Sequence, residues 1–224
     1  MKSVILKKIH NVRDIGGYNT ENGRIKYNII YRGECPSNVC SHDKKILDSY
    51  NFNVIDIRSE EEKIKKESYF KKNYNDAKLI RTRWPESEED IPNTYMEVIN
   101  DTENIKNILK LVMHSEKPIY LNCNLGKDRT GCVVMIIMLM LGVNEDDIIA
   151  DYALSDVYLR ENYYEFHKNN PDSPKYLGRA KREYMEKTLE LFKEKYKDIN
   201  NYLKILNIDE GEIESFKDKV IERI

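Results

Sequence analysis

The stretch from Pro118 to Leu141 constrains the fold of this chain most tightly. A short apolar segment, Pro118-Ile119-Tyr120-Leu121, leads into a polar run, Asn122 to Gly131 (NCNLGKDRTG), and an unbroken apolar segment from Cys132 to Leu141 follows. A short apolar segment of this kind suits a buried strand, and the longer one suits a helix buried on all sides. A loop between two such elements turns its backbone N–H groups towards one point and adds the positive end of the helix dipole. That point is a seat for a phosphate. The strong nucleophile type within the loop is a cysteine, Cys123.

The flanking sequence predicts an α/β fold. Asn28–Tyr31 and Val54–Ile57 read as strands, with a helix over Lys44–Tyr50 between them, capped from Ser41 or Asp43. Gly16-Gly17 and Asn22-Gly23 mark turns. Ser59 opens an acidic helix start at Glu60-Glu61-Glu62. Ala77–Ile80 is a weaker strand candidate, and Arg81 to Pro92 reads as a loop. Ile99, Ile105, Ile108, Leu109, Val112 and Met113 recur at helical spacing, which predicts one helix leading to the Pro118 strand. After Val143 three helices are expected: Asp146–Lys168, Arg179–Tyr196 and Ile213–Ile224. Strands alternating with helices imply a mostly parallel central sheet flanked by helices, followed by a helical C-terminal half. The Cys123 loop then lies at the carboxyl end of a strand, where open α/β sheets bind ligands. No repeat or linker divides residues 1–224, so a single domain is expected.

Bulk composition narrows the partners. Lys plus Arg number 37 against 39 for Asp plus Glu, so nothing favours nucleic acid as a ligand. No segment reads as a signal peptide, and the longest apolar run is too short to span a bilayer. The chain reads as soluble and cytoplasmic, without stable membrane insertion. Cys35, Cys40 and His42 lack the spacing of a zinc site and read as free thiols near a turn, and Cys132 reads as core.

Each part of the loop suits phosphoryl transfer. The amides of Asn124, Leu125, Gly126 and Lys127 would hold phosphate and favour the Cys123 thiolate, which is the nucleophilic form. Arg129 carries a planar fork that can hold two phosphate oxygens and keep them as charge shifts in the transition state. Gly126 permits a tight turn with backbone close to the ligand. Thr130 is placed to donate its hydroxyl to the Cys123 sulfur. A nucleotide-binding P-loop is excluded: it requires glycine where Leu121 stands and a hydroxyl residue where Asp128 stands.

The loop resembles that of the cysteine-dependent phosphatases, most closely bacterial tyrosine and phosphoinositide phosphatases with an HCxxGKDRTG loop. The resemblance extends to Asn11–Tyr18 (NVRDIGGY), Tyr31-Arg32-Gly33, Ile55–Glu62 (IDIRSEEE), Ala150–Tyr158 and the Tyr184–Leu206 region. It implies Cys123 as nucleophile, Arg129 as phosphate clamp, a phosphocysteine intermediate, and neither metal nor other cofactor. It also implies Lys127 as ligand for a second anionic group, Asp128 as acid or base, and a helical lid over residues 155–180. One position departs from the pattern: Asn122 stands where the family has histidine, and asparagine cannot carry positive charge.

Two carboxylates compete for general acid. Asp128 adjoins Arg129 in the loop, although a carboxylate there could equally tie down Arg or Lys. Glu86 follows Trp84-Pro85, resembling the Trp-Pro-Asp of mobile acid loops in tyrosine phosphatases, but it lies in an acidic surface-like stretch. Arg13, Asp14, Asp56 and Arg58 read as internal ion pairs that position loops. Tyr152, Tyr158, Tyr163, Tyr164 and Phe166 read as helix packing, or as part of the lid. No histidine sits in a recognisable triad. The substrate is expected to be a phosphorylated protein, through phosphotyrosine, or else a phosphoinositide. A phosphate-binding pseudophosphatase (motivated by Asn122) and a sulfurtransferase are the other readings of the same loop.

Overall fold

The computed structural model describes residues 2–70, 74–75 and 83–223. In chain order the elements are β1 (Lys2–Ser3), β2 (Arg13–Asp14), β3 (Asn19–Thr20), β4 (Gly23–Ile25), β5 (Ile30–Glu34), α1 (Ser41–Tyr50), β6 (Asn53–Asp56), α2 (Glu60–Lys65), β7 (Tyr74–Asn75), α3 (Ile91–Asn100), α4 (Thr102–Met113), β8 (Ile119–Cys123), α5 (Asp128–Met140), α6 (Glu145–Tyr158), α7 (Arg160–Asn169), α8 (Arg182–Tyr196), α9 (Ile199–Ile205), α10 (Glu210–Val220) and β9 (Ile221–Glu222). The main sheet has the order β1-β2-β5-β8-β6-β7. β5, β8, β6 and β7 run parallel, and β1 and β2 add an antiparallel edge. β3, β4 and β9 form a small separate antiparallel sheet. The fold is therefore α/β with a mostly parallel sheet, and Cys123 ends its central strand.

Strand periodicity explains the two-sided core. Successive side chains on a strand point to opposite faces. Ile30, Ile55, Ile119 and Leu121 join the large cluster built with α3, α4, α5 and the C-terminal helices. Their neighbours Tyr31, Val54 and Tyr120 face the other way, against Leu47 of α1, Phe52 and Phe70. The second face is largely aromatic, with the Tyr31 and Phe52 rings 5.1 Å apart and the Phe70 and Tyr120 rings 5.5 Å apart. Helix α5 is apolar nearly all round and accordingly buried nearly all round.

Several expected elements change on folding. The helix expected from Ile99 to Met113 is two helices, because Asp101 leaves helical geometry (ψ 66°) and its side chain caps α4 at Asn104 N–H. The expected loop to Pro92 ends two residues earlier, with α3 starting at Ile91 and proline in its first turn. The helix expected over Asp146–Lys168 divides at Leu159, and no proline or glycine marks that break. The following helix starts at Arg182 rather than Arg179, and the last helix gives way to β9 before the chain end. α1 starts at Ser41 without a side-chain cap, since Asp43 instead accepts from the amides of Lys7 and Lys8 at 2.7 and 2.8 Å. Ala77–Ile80 lies outside the described residues. Among the described residues, no helix is long and apolar enough to cross a membrane.

Candidate active site

The loop between β8 and α5 is held from outside by its carbonyls. Asn124 O accepts from Cys35 N–H at 3.1 Å, Leu125 O from Asn11 Nδ2 at 2.9 Å, and Gly126 O from Arg32 Nη2 at 2.8 Å. A planar trans peptide sends the next residue's N–H the opposite way from its carbonyl. Three outward carbonyls therefore turn the amides of Leu125, Gly126 and Lys127 inward as one cradle. Gly126 (φ +64°) is required by the fold as well as by any ligand, since a Cβ there would sit 2.1 Å from Gly33 O on β5.

A buried ion network supports this arrangement from below. Arg32, 1 % exposed, reaches Asp151 Oδ2 at 2.6 Å with Nη1 while Nη2 holds the loop. Arg13 grips the other side of Asp151 at 2.8 Å and also reaches Ser155. Burial pushes the Arg32 guanidinium down to about 10, with Arg13 adding to the effect and Asp151 opposing it, so it stays charged at neutral pH. Asp56 pairs with Arg58 in full burial at 2.6 Å. The expected internal pairing of Arg13, Asp56 and Arg58 is thus present, and Asp14 ties its own turn by accepting from Gly16 and Asn28 N–H. No local signal in the sequence joins Arg32 to Asp151, because they stand 119 positions apart.

A cavity of about 540 Å³ opens above the loop. Cys123, Asn124, Leu125, Lys127, Asp128 and Arg129 form its floor, and Trp84, Pro85, Ile91 and Tyr95 form one wall. Residues of α7 and the turn after it, including Tyr163, Phe166, Tyr176 and Arg179, form the other. Tyr176 OH reaches Pro85 O at 3.4 Å across the gap between the walls. The α7 hairpin is held by its own polar groups: His167 contacts Leu177 O and Ser173 Oγ, and Tyr163 OH donates to Lys175 O. No side chain of α7 is buried.

Arg129 is fixed by Glu62, which the sequence marks only as a helix-start acid. Glu62 takes Arg129 Nη1 and Nη2 at 2.7 Å each, accepts from Asn124 Nδ2 at 2.6 Å, and closes a capping box with Ser59. Burial would raise its carboxyl, but hydrogen bonds from Arg129 and Ser59 outweigh this and bring it down to about 2. The spacing from Ser59 to Glu62 signals the cap, whereas nothing local signals the arginine.

The other expected site residues fall as follows. Asp128 lines the cavity and accepts from Tyr95 OH at 2.5 Å. Glu86 is exposed and does not line the cavity. Its amide is bound by Asp90, which Arg83 also holds. Lys127 Nζ donates to Arg179 O at 2.8 Å and lies 3.3 Å from Asp128 Oδ1, so it joins the floor to the hairpin. The Thr130 hydroxyl makes no hydrogen bond, to Cys123 or to anything else. The side chain is wholly buried in the first turn of α5, so the expected donation to sulfur is absent. Asn122 is also wholly buried, with Nδ2 3.3 Å from Cys123 O and Oδ1 unpartnered.

A cysteine at the carboxyl end of a central parallel strand, under an inward-facing amide loop and a fixed arginine, defines a cysteine-phosphatase-like α/β protein. The model of the tyrosine phosphatase family matches residues 4–222, and the chain belongs to that family. It is also 27% identical over 168 residues to a curated protein of Cupriavidus necator named "Putative tyrosine-protein phosphatase". That alignment covers 66% of this chain and 61% of the relative.

Proposed function

We propose that this protein hydrolyses phosphate monoesters, with phosphotyrosine as the substrate class, through a phosphocysteine on Cys123. The observation that carries this reading is the meeting of Cys123, the loop amides and Arg129 at the floor of one cavity. The Cys123 thiolate attacks phosphorus in line, the P–O bond to tyrosine breaks, and the departing oxygen takes a proton from Asp128. Asp128 then draws a proton from water, which attacks the phosphocysteine and releases phosphate while the thiolate reforms. Glu62 engages only the Nη1–Nη2 end of Arg129, which leaves the Nε edge of the fork for equatorial phosphate oxygens. Asp128 is favoured over Glu86 as acid because it lines the cavity and Glu86 does not.

Phosphotyrosine is favoured over a phosphoinositide by the charge around the cavity. Among the described residues, each lining cation already has a carboxylate: Arg83 with Asp90, Lys127 beside Asp128, Arg129 with Glu62, and Arg179 with Asp156. Beyond the single phosphate seat the walls are mostly apolar, with Trp84, Tyr95, Tyr163, Phe166 and Tyr176 among them, which suits a phenyl ring better than a second phosphate. The lightly buried α7 hairpin fits a lid over residues 155–180, closing on the substrate within one phosphatase unit.

Hydrolysis of p-nitrophenyl phosphate by wild type and Cys123→Ser, with vanadate as inhibitor, tests the mechanism. The expected result is vanadate-sensitive activity in the wild type and none in Cys123→Ser. Activity that survives in Cys123→Ser would sink the phosphocysteine. An inactive wild type that still binds phosphate would make the protein a phosphate-binding pseudophosphatase.

A further inference from the structure

We propose that Tyr95 and Tyr152 are positioning residues that set the geometry of Asp128 as general acid, an inference that rests on the phosphatase reading above. Tyr95 OH lies 2.5 Å from Asp128 Oδ1 and 2.6 Å from Tyr152 OH. The direction of this relay follows from counting protons. A carboxylate oxygen only accepts, and a phenol has a single hydrogen. Tyr95 therefore donates to Asp128, and Tyr152 donates to Tyr95. Burial raises both phenols well above their ordinary range, with the Asp128 charge adding to it, so both keep the protons that the relay needs.

The relay has a consequence for chemistry. Oδ1 faces the Tyr95 hydroxyl and lies 3.3 Å from the Lys127 Nζ cation, so of the two oxygens it is the less favourable one for a proton. The acidic proton is thereby assigned to Oδ2. The Tyr95 bond fixes the carboxyl rotation, and with it where Oδ2 stands relative to Cys123. Donation to Oδ1 also stabilises the carboxylate that remains once the proton has passed to the leaving oxygen. Tyr95 stands on α3 in the cavity wall, and Tyr152 is fully buried on α6, outside the lining. Their rings pack edge to face at 5.9 Å, so the pair is held by shape as well as by hydrogen bonds. The acid is thus referenced to two packed helices, although it sits at the edge of a loop.

The test is the dependence of kcat on leaving-group acidity for wild type, Tyr95→Phe, Asp128→Asn and the double variant. Phenyl phosphate serves as the poor leaving group and p-nitrophenyl phosphate as the good one. Tyr95→Phe removes one oxygen and keeps the ring. It is expected to lose about tenfold on phenyl phosphate and to stay within about twofold on p-nitrophenyl phosphate, a part of the 10²–10⁴ available to general acid catalysis. In the Asp128→Asn background the Tyr95→Phe effect should vanish. Tyr152→Phe should move the profile in the same direction by less, and it carries the test if Tyr95→Phe does not fold. Equal losses on both substrates, or a Tyr95→Phe effect undiminished in Asp128→Asn, would overturn the positioning role while leaving Asp128 as acid. A leaving-group dependence unchanged in Asp128→Asn itself would instead overturn the acid assignment, and this inference with it.

Discussion

Glu62→Gln is the substitution that most directly separates the clamp from the cradle. In the native protein four donors converge on the two Glu62 oxygens: Arg129 Nη1 and Nη2, Asn124 Nδ2 and Ser59 N–H. The side chain is 12% exposed, so these bonds are little screened. Its carboxyl falls from 4.5 to about 2, which at 1.36 kcal/mol per pKa unit corresponds to roughly 3 kcal/mol of stability. The sign follows from linkage. A depressed carboxyl contributes fully above its unfolded value of 4.5, and the contribution drains away as pH falls through about 2. Glutamine keeps the shape but loses the charge, and its NH₂ must face one of the donors that Glu62 accepted. The expected cost near neutral pH is about 1–3 kcal/mol, the range for leaving a buried donor unpaired. With the Nη1–Nη2 end released, kcat should fall by about 10- to 100-fold, in line with the loss of one preorganised transition-state donor. Urea unfolding from pH 7 down to pH 3, beside kcat on p-nitrophenyl phosphate, measures both effects. Wild type should lose stability across the acid range more steeply than Glu62→Gln. A variant with wild-type stability at pH 7 and the same acid slope would refute the reasoning, whatever its kcat.

Two further substitutions probe the frame around the cradle. Gly126→Ala forces a Cβ to within 2.1 Å of Gly33 O at φ +64°, so it should cost more than the roughly 1 kcal/mol of a compatible Gly-to-Ala change, with loss of phosphate binding seen by calorimetry. His167→Ala removes two of the side-chain bonds that close the α7 hairpin and leaves the Tyr163–Lys175 bond. It should raise KM several-fold with thermal stability nearly unchanged, and an unchanged KM would remove the hairpin from substrate binding.

What was legible in the sequence follows the range of the interactions involved. The strand, loop and helix around Cys123 are written in one contiguous run, and they fold as expected because apolar period and loop composition are local signals. The same holds for the Ser59 cap. The break at Asp101 carried only a weak capping signal, and the break at Leu159 carried none, so a run of helical spacing could not reveal either. The antiparallel edge carries no hydrophobic signature, because Arg13 and Asp14 are charged yet wholly buried. They sit inside because Asp151 and the turn amides satisfy them, and no hydrophobicity pattern encodes such pairing. Contacts between distant segments set the functional detail in the same way. Arg129 depends on Glu62, the loop carbonyls on Asn11 and Arg32, and Asp128 on Tyr95. Asn122 shows the limit of reading a motif alone. Its neutral side chain brings no charge to the loop, but a buried guanidinium lies directly beneath. Arg32 holds the Gly126 carbonyl, so a positive group is supplied to the cradle from the neighbouring strand. A charge missing from the loop in one dimension is present in three, and only the parallel pairing of β5 with β8, which sets Gly33 opposite Asn122, brings it there.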